Sequence, residues 1–318
     1  MGSDPLAFDA PVPDGGYAWW YLDALSEDGR HGLTAIVFIG SVFSPYYAWA
    51  QQRGRGRALD HCAVNLALYA GPDAGAPRGW TMTERGAGAV RQGRDALVIG
   101  PSEIAWDGEW LCLRVRERTA PWGRRIEGEI RVRPQALHAT DYPLDAAGRH
   151  RWTPIAPVAR VQVALDAPAL RWQGRAYLDS NRGDRPIAQD LQRWDWSRAA
   201  IGREGCAVFY DATRRDGSHA QWALRFGGTG AVHRVAEPPP MSGLPRSAWG
   251  LRRRARADAG APLRLHQPLE DGPFYARSVL RTRLLGWPAD AIHETVDLDR
   301  WQRPLVQAML PFRMPRRA

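Results

Sequence analysis

His150 and Trp152 stand two residues apart in RHRWTP (residues 149–154), and Tyr177 and Asp179 stand two apart in GRAYLDSNRG (residues 174–183). In an extended chain, residues i and i+2 point to the same side, so each pair presents its side chains together. The four supply an acid, a group that holds or deprotonates water, and two aromatic faces that attract a cation. The same residues have a plainer assignment. Asp179 then caps the Ser-Asn-Arg-Gly turn, Tyr177 packs in a core and His150 lies in an exposed linker. Residue type and spacing alone favour that plainer assignment.

Other chemistries find less support. Gly227-Gly228-Thr229-Gly230 is glycine-rich but does not open a helix after a parallel strand, as a nucleotide-binding loop must. It reads as a plain loop. All 43 basic residues are Arg, which excludes a Schiff-base or P-loop lysine. Asp60 and His61 are adjacent, so on a strand they face opposite ways, and no HxH or HxxxH pair occurs; no metal site is expected. There is no GxSxG. The three cysteines (Cys62, Cys112, Cys206) form no CxxC pair and suit a reducing compartment. The cluster Arg252-Arg253-Arg254-Ala255-Arg256 follows Trp249 in a strand-like stretch. Its side chains divide between two faces, which fits a solvated strand better than a nucleic-acid patch. Arg53-Gly54-Arg55-Gly56-Arg57 reads as a basic loop.

The elements that must position these residues are short apolar or alternating runs between Gly, Pro, Asp and Asn. Runs such as Tyr17–Leu25, Cys62–Tyr69, Ala96–Ile99, Ile126–Val132, Ala159–Leu165 and Tyr275–Leu284 have strand lengths and strand composition. Glu129–Arg133 alternates charged and apolar residues. Arg214-Arg215-Asp216-Gly217 reads as a hairpin turn. One short C-terminal helix is expected over Arg300–Leu310, with Asp299 as N-cap and Pro311 as its stop. The chain is therefore expected to be all-β and antiparallel, as two tandem barrels or sandwiches. The proline-containing stretch Tyr142–Pro157 marks the boundary, giving domains 1–148 and 149–318 with a site near the junction.

Net charge is +9, and 15 of the 318 residues are Trp. An apolar fraction of 44% is enough for a substantial core. No apolar run is long enough for a transmembrane helix, and the first residues lack the pattern of a secretory signal. A cytoplasmic protein is expected, with a basic surface suited either to solubility or to anionic membrane.

Longer stretches carry a resemblance. GSVFSPYY (40–47), DHCAVNLALY (60–69), YLDSN (177–181) with WDWSR (194–198), EDGPFYARS (270–278) and MLPFRMPR (309–316) resemble the carotenoid 1,2-hydratase family, also called hydroxyneurosporene synthase. The resemblance runs from about residue 15 to the C-terminus. It implies two lipocalin-like β domains. It implies cofactor-free addition of water to the terminal 1,2 double bond of an acyclic carotenoid, turning neurosporene into hydroxyneurosporene or lycopene into rhodopin. It also implies functional roles for His150, Trp152, Tyr177 and Asp179, which match the family's positions by motif.

On that basis Asp179 is expected to donate the proton, Trp152 and Tyr177 to stabilise the cation, and His150 to handle the water. The expected partners are the carotenoid and the surface of the photosynthetic membrane, with Trp301–Arg317 as a docking candidate; no nucleic acid, cofactor or metal is expected. Competing readings are a non-catalytic carrier of lipophilic molecules, a polyene cyclase or isomerase of the same fold, and a carbohydrate-active protein with paired carboxylates.

Overall fold

The computed structural model describes residues 4–71 and 78–317. The chain divides into two compact units. Among the described residues the first comprises 4–71, 78–142, 149–186 and 307–317, and the second 143–148 and 187–306.

The first unit is built on one long antiparallel sheet. Its strands are β1 (Tyr17–Ser26), β2 (His31–Ile39), β3 (Cys62–Ala70), β4 (Gly79–Arg85), β5 (Val90–Gln92), β6 (Ala96–Ile99), β7 (Ser102–Trp106), β8 (Leu111–Arg118) and β9 (Arg125–Pro134). The two-residue β10 (Tyr142–Pro143) follows, then the long pair β11 (His150–Ala167) and β12 (Ala169–Gly183). The strand order is β4-β3-β2-β1-β12-β11-β9-β8-β7-β6-β5. The sheet curls, bringing β4 against β8. Thr81 Oγ1 donates to Arg118 O at 2.8 Å, and Arg85 Nη2 donates to Glu117 Oε2 at 2.8 Å. Burial pushes the Glu117 carboxyl above its ordinary value, and the Arg85 guanidinium partly offsets that effect.

The apolar core fills one face of this sheet. Strand alternation delivers Trp20, Leu22 and Ala24 from β1, Leu33, Ala35 and Val37 from β2, and Ala176 and Leu178 from β12 to it. The alternate residues of the same strands point to the opposite face, where the site lies.

Strands β11 and β12 follow the boundary expected at residue 148, yet they pair with β9 and β1 of the first unit. The stretch Tyr142–Pro157, read as a linker, is a strand from His150 onward. Proline removes a ladder donor and is tolerated in sheets at bulges. Here the β11–β12 register shifts between Thr153 and Ala156 and again between Ala156 and Ala159, which accommodates Pro154 and Pro157.

A helix not anticipated from sequence, α1 (Pro45–Gln52), follows β3's partner strand β2. Ser44 caps it by accepting from Tyr47 N, with Pro45 in the first turn.

The second unit holds β13 (Leu191–Ile201), β14 (Gly205–Arg214), β15 (His219–Gly227), β16 (Val232–Arg234), the hairpin β17 (Met241–Leu244) and β18 (Arg253–Arg256), then β19 (Arg264–Asp271), β20 (Tyr275–Leu284) and β21 (Trp287–Asp297). Its main sheet runs β16-β15-β14-β13-β21-β20-β19. The turn expected at residues 214–217 joins β14 to β15. In β18 only Arg254 is solvated as expected. Arg253 and Arg256 are buried because each has partners: Arg256 forks onto both oxygens of Asp211, and Arg253 donates to Pro245 O and Ser278 Oγ.

The C-terminal helix is split and begins earlier than expected. Asp297, rather than Asp299, caps α2 (Leu298–Trp301) by accepting from Arg300 N. Pro304 then starts a separate α3 (Pro304–Met309), since proline suits a first turn and not a helix interior. The last strand, β22 (Arg316–Arg317), runs parallel to β4.

Candidate active site

The face of the first sheet opposite its core carries polar and aromatic side chains where apolar ones would be ordinary. β1 sends Tyr17, Trp19, Tyr21 and Asp23 to it. β12 sends Tyr177, Asp179 and Asn181. Register sets them in rungs: Asp23 faces Tyr177, Tyr21 faces Asp179, and Trp19 faces Asn181. On the far side of β12, Trp152 of β11 also faces Asn181, and His150 faces Gly183. All of these residues are buried, Gly183 included; Tyr177 and Trp152 are fully so, and Asp179 is 4% exposed.

The structure thus brings the four expected residues onto one face. Asp179 is their centre. Trp152 Nε1 donates to Asp179 Oδ2 at 2.9 Å, and Tyr177 Oη donates to the same oxygen at 2.8 Å. The Trp152 ring also lies 5.4 Å from Tyr142, and the Tyr177 ring 6.3 Å from Tyr21 in an edge-on arrangement.

His150 is a buried side chain and not the exposed linker residue of the plainer assignment. Its ring stacks on Tyr17 at 5.8 Å, and its Nδ1 is hydrogen-bonded to Tyr17 Oη at 3.0 Å. That approach depends on Gly183. A Cβ there would lie 2.5 Å from His150 Nδ1 and 2.6 Å from Tyr17 Cε1.

Sequence reasoning did not single out Tyr17, Tyr21, Asp23 or Asn181. A signal for the first three is present in YAWWYLDALS: an aspartate and two tyrosines recur at period two inside an otherwise apolar strand. Their meeting with β12 depends on a pairing between distant parts of the chain, which no local pattern encodes. Among the described residues, no group of three His, Cys, Asp or Glu side chains is arranged to hold a metal ion.

A second buried polar cluster lies in the second unit. Asp195 Oδ1 accepts from Thr295 Oγ1 at 2.6 Å, and Asp195 Oδ2 accepts from Arg193 Nη2 at 2.9 Å. His293 Nε2 is 3.2 Å from Thr295 Oγ1. Burial, outweighing the attraction of Asp195, pushes the His293 imidazole down to about 4.

Comparison with known proteins bears on this arrangement. The family model described as carotenoid hydratase CrtC matches residues 35–318. The chain is 52% identical to the acyclic carotenoid 1,2-hydratase of Thiocapsa roseopersicina, over 99% of this chain and 77% of that protein. It is 50% identical to the acyclic carotenoid 1,2-hydratase of Rubrivivax gelatinosus, over 98% and 76%. In fold, it resembles the solved structure of an AttH from Nitrosomonas europaea, with a TM-score of 0.63 at 13% identity, covering 88% of this chain and 91% of that one.

Proposed function

The chain belongs to the carotenoid hydratase family, and we propose that it adds water across the terminal 1,2 double bond of an acyclic carotenoid, with Asp179 as the proton donor. Neurosporene and lycopene are the substrates of this reading, and hydroxyneurosporene and rhodopin the products.

The reaction is redox-neutral. A proton bonds to carbon 2 and the positive charge develops at the tertiary carbon 1. A water oxygen bonds there and gives up a proton to a base. The first step needs an acid that still holds its proton at neutral pH, whereas an aspartic acid in water, with a pKa near roughly 3.9, has lost it. Burial disfavours the charged carboxylate, and the apolar substrate excludes further water when bound.

The observation that carries the reading is the double donation to Asp179 Oδ2. In the protonated acid, this doubly hydrogen-bonded Oδ2 is the carbonyl oxygen; the two donors by themselves favour the ionised form, so burial and exclusion of water must hold the proton. The transferable proton then belongs on Oδ1. The two donors also fix the carboxyl's orientation, and positioning of this kind supplies much of a catalysed rate. The π faces of Trp152 and Tyr177 add about 0.5–2 kcal/mol each to stabilisation of the cation. His150, its ring set by Tyr17, takes the water's proton on Nε2, as a positioned imidazole does in general base catalysis.

A long hydrocarbon gains its affinity from burial, at about 25 cal/mol per Å², and it is dissolved in membrane. Among the described residues no helix is long and apolar enough to cross a membrane. Peripheral docking on the cytoplasmic side of the photosynthetic membrane suits such a substrate. The exposed Leu305, Met309 and Phe312, with exposed Arg303 and Arg313 close by in sequence, support a docking role for the C-terminal segment.

The test is anaerobic incubation of the protein with lycopene or neurosporene in liposomes, in water enriched in oxygen-18. A product heavier by one labelled water is expected, and it should be absent with Asp179→Asn. Carotenoid that binds and is recovered unchanged would instead favour a carrier.

A further inference from the structure

We infer that Asn181 holds the water that attacks the cation. The inference rests on the hydratase reading and adds to it the location of the second substrate.

Asn181 is 4% exposed. Its Oδ1 is buried and accepts no hydrogen bond from the described residues. Buried polar atoms almost always have a partner, and where protein supplies none the usual one is water. An asparagine kept solely for packing would gain by being apolar. The neighbours of Asn181 make its carboxamide a directional anchor. Trp19 faces it on β1 and Trp152 faces it on β11, so it is a polar point between two indoles.

Its place along β12 gives the anchor a use. Asp179, Asn181 and Gly183 follow one another on the same face, and Gly183 is the residue that His150 faces. Asn181 therefore lies between the acid and the imidazole. A water donating one hydrogen to Asn181 Oδ1 has its other hydrogen free for His150 and a lone pair free for carbon 1. When its oxygen bonds to carbon 1, the second proton passes to His150, and atoms and charge balance. The carboxamide stays neutral throughout, so it orients water without competing with Asp179 for the proton.

A role confined to water makes a distinct prediction about the cation's fate. Without water in place, carbon 2 is still protonated. The cation then loses a methyl proton to the newly formed Asp179 carboxylate, leaving an exomethylene isomer of the substrate. In deuterium oxide that isomer carries one deuterium at carbon 2.

The experiment compares the wild-type protein with Asn181→Leu and Asn181→Ser, incubated with lycopene in liposomes in deuterium oxide, with hydrated product and deuterated isomer counted by mass detection. Asn181→Leu keeps the volume and loses the acceptor. It should lower hydration at least about 30-fold while the deuterated isomer rises to become the main product. Asn181→Ser, which restores an acceptor, should recover part of the hydration. If hydration and isomer fall together in both folded variants, Asn181 serves structure or substrate binding and the inference is wrong. Hydration within twofold of wild type in folded Asn181→Leu would overturn it as well. Should Asn181→Leu fail to fold, the isomer-to-hydrate ratio of Asn181→Ala and Asn181→Ser decides alone. Failure of the wild-type protein itself to form hydrated product would count against the hydratase reading, which separates the two ideas.

Discussion

The indole of Trp152 and the carboxyl of Asp179 meet edge to edge, with Nε1 donating to Oδ2 at 2.9 Å from the neighbouring strand. They stand diagonally across the β11–β12 pair, since Trp152 faces Asn181 directly. The first bulge of β11 begins one residue later, after Thr153. The indole therefore sits on the last regular rungs before the strand's register changes, where its reach to Asp179 is set by the ladder itself.

Asp179→Asn preserves the side chain's size and an oxygen for Trp152 and Tyr177 to donate to, and it removes the acidic proton. Turnover should fall by about 10³-fold or more, in line with loss of a general acid, while the thermal midpoint stays within a few degrees of wild type. Product chromatography and a melting curve on the same preparation check both. Undiminished activity would assign the proton to another group.

Trp152→Phe removes one donor and leaves an aromatic ring. A stability loss of about 1 kcal/mol is expected, with a fall in kcat of roughly 10–100-fold because the carboxyl loses a hydrogen bond that orients it. Urea unfolding and initial rates measure these. A variant as fast as wild type would mean that the Trp152 hydrogen bond is dispensable for orienting the acid.

These relationships were legible in the sequence to different depths. The period-two pairs His150/Trp152 and Tyr177/Asp179 were readable because alternation is local. The strand Tyr275–Leu284 was readable to its ends, since turn residues bound it. The strand nature of residues 150–157 was hidden by Pro154 and Pro157, whose tolerance depends on bulges formed against a partner. Asp297 as the helix cap was obscured by Asp299, two residues on, which is an equally good cap by composition. The polar period of β1 was readable, but its pairing with β12 was out of reach, because nothing in residues 17–26 announces a partner more than a hundred residues away.

Gly183→Ala tests the approach of His150 to Tyr17. The added methyl would meet His150 Nδ1 at 2.5 Å, so either the ring moves or the strands part. A cost of about 1–3 kcal/mol is expected, together with an activity loss larger than that destabilisation explains at temperatures where the variant stays folded. Rates measured well below its melting point separate the two. An active, fully stable variant would show that the His150–Tyr17 contact is dispensable.

His293 gives stability a pH dependence whose sign follows from burial. In the unfolded chain its imidazole takes a proton near roughly pH 6.5; in the folded chain it does so only at about 4. Between those values the unfolded state binds the extra proton, so stability falls as pH drops from 6.5 to 4 and the contribution is flat below that. By pH 5 the loss is about 2 kcal/mol. Urea unfolding at pH 7 and pH 5 should therefore show a smaller pH effect in His293→Gln than in wild type. Equal pH effects in the two would remove His293 as the cause.

Leu305→Ser combined with Phe312→Ser removes two exposed apolar side chains from the C-terminal segment. Pelleting with anionic liposomes should drop several-fold, and wild-type binding should weaken with added salt as the arginines are screened. Activity on carotenoid presented in detergent should be nearly unchanged. Wild-type binding that ignores both salt and these substitutions would place the docking surface elsewhere.

The position of β1 in the sheet order has a consequence for synthesis. β1 leaves the ribosome well before β12 and can close a hairpin with β2 at once, but its other edge belongs to β12, whose last residue is Gly183. At about 5–20 residues per second, that edge stays open for on the order of ten seconds or more in every nascent chain. It is rich in aromatic side chains and carries one mid-strand charge, Asp23. Chaperone capacity during that interval, more than the stability of the finished fold, should set the yield of active protein, and a slower decoding rate between residues 26 and 183 should lower it.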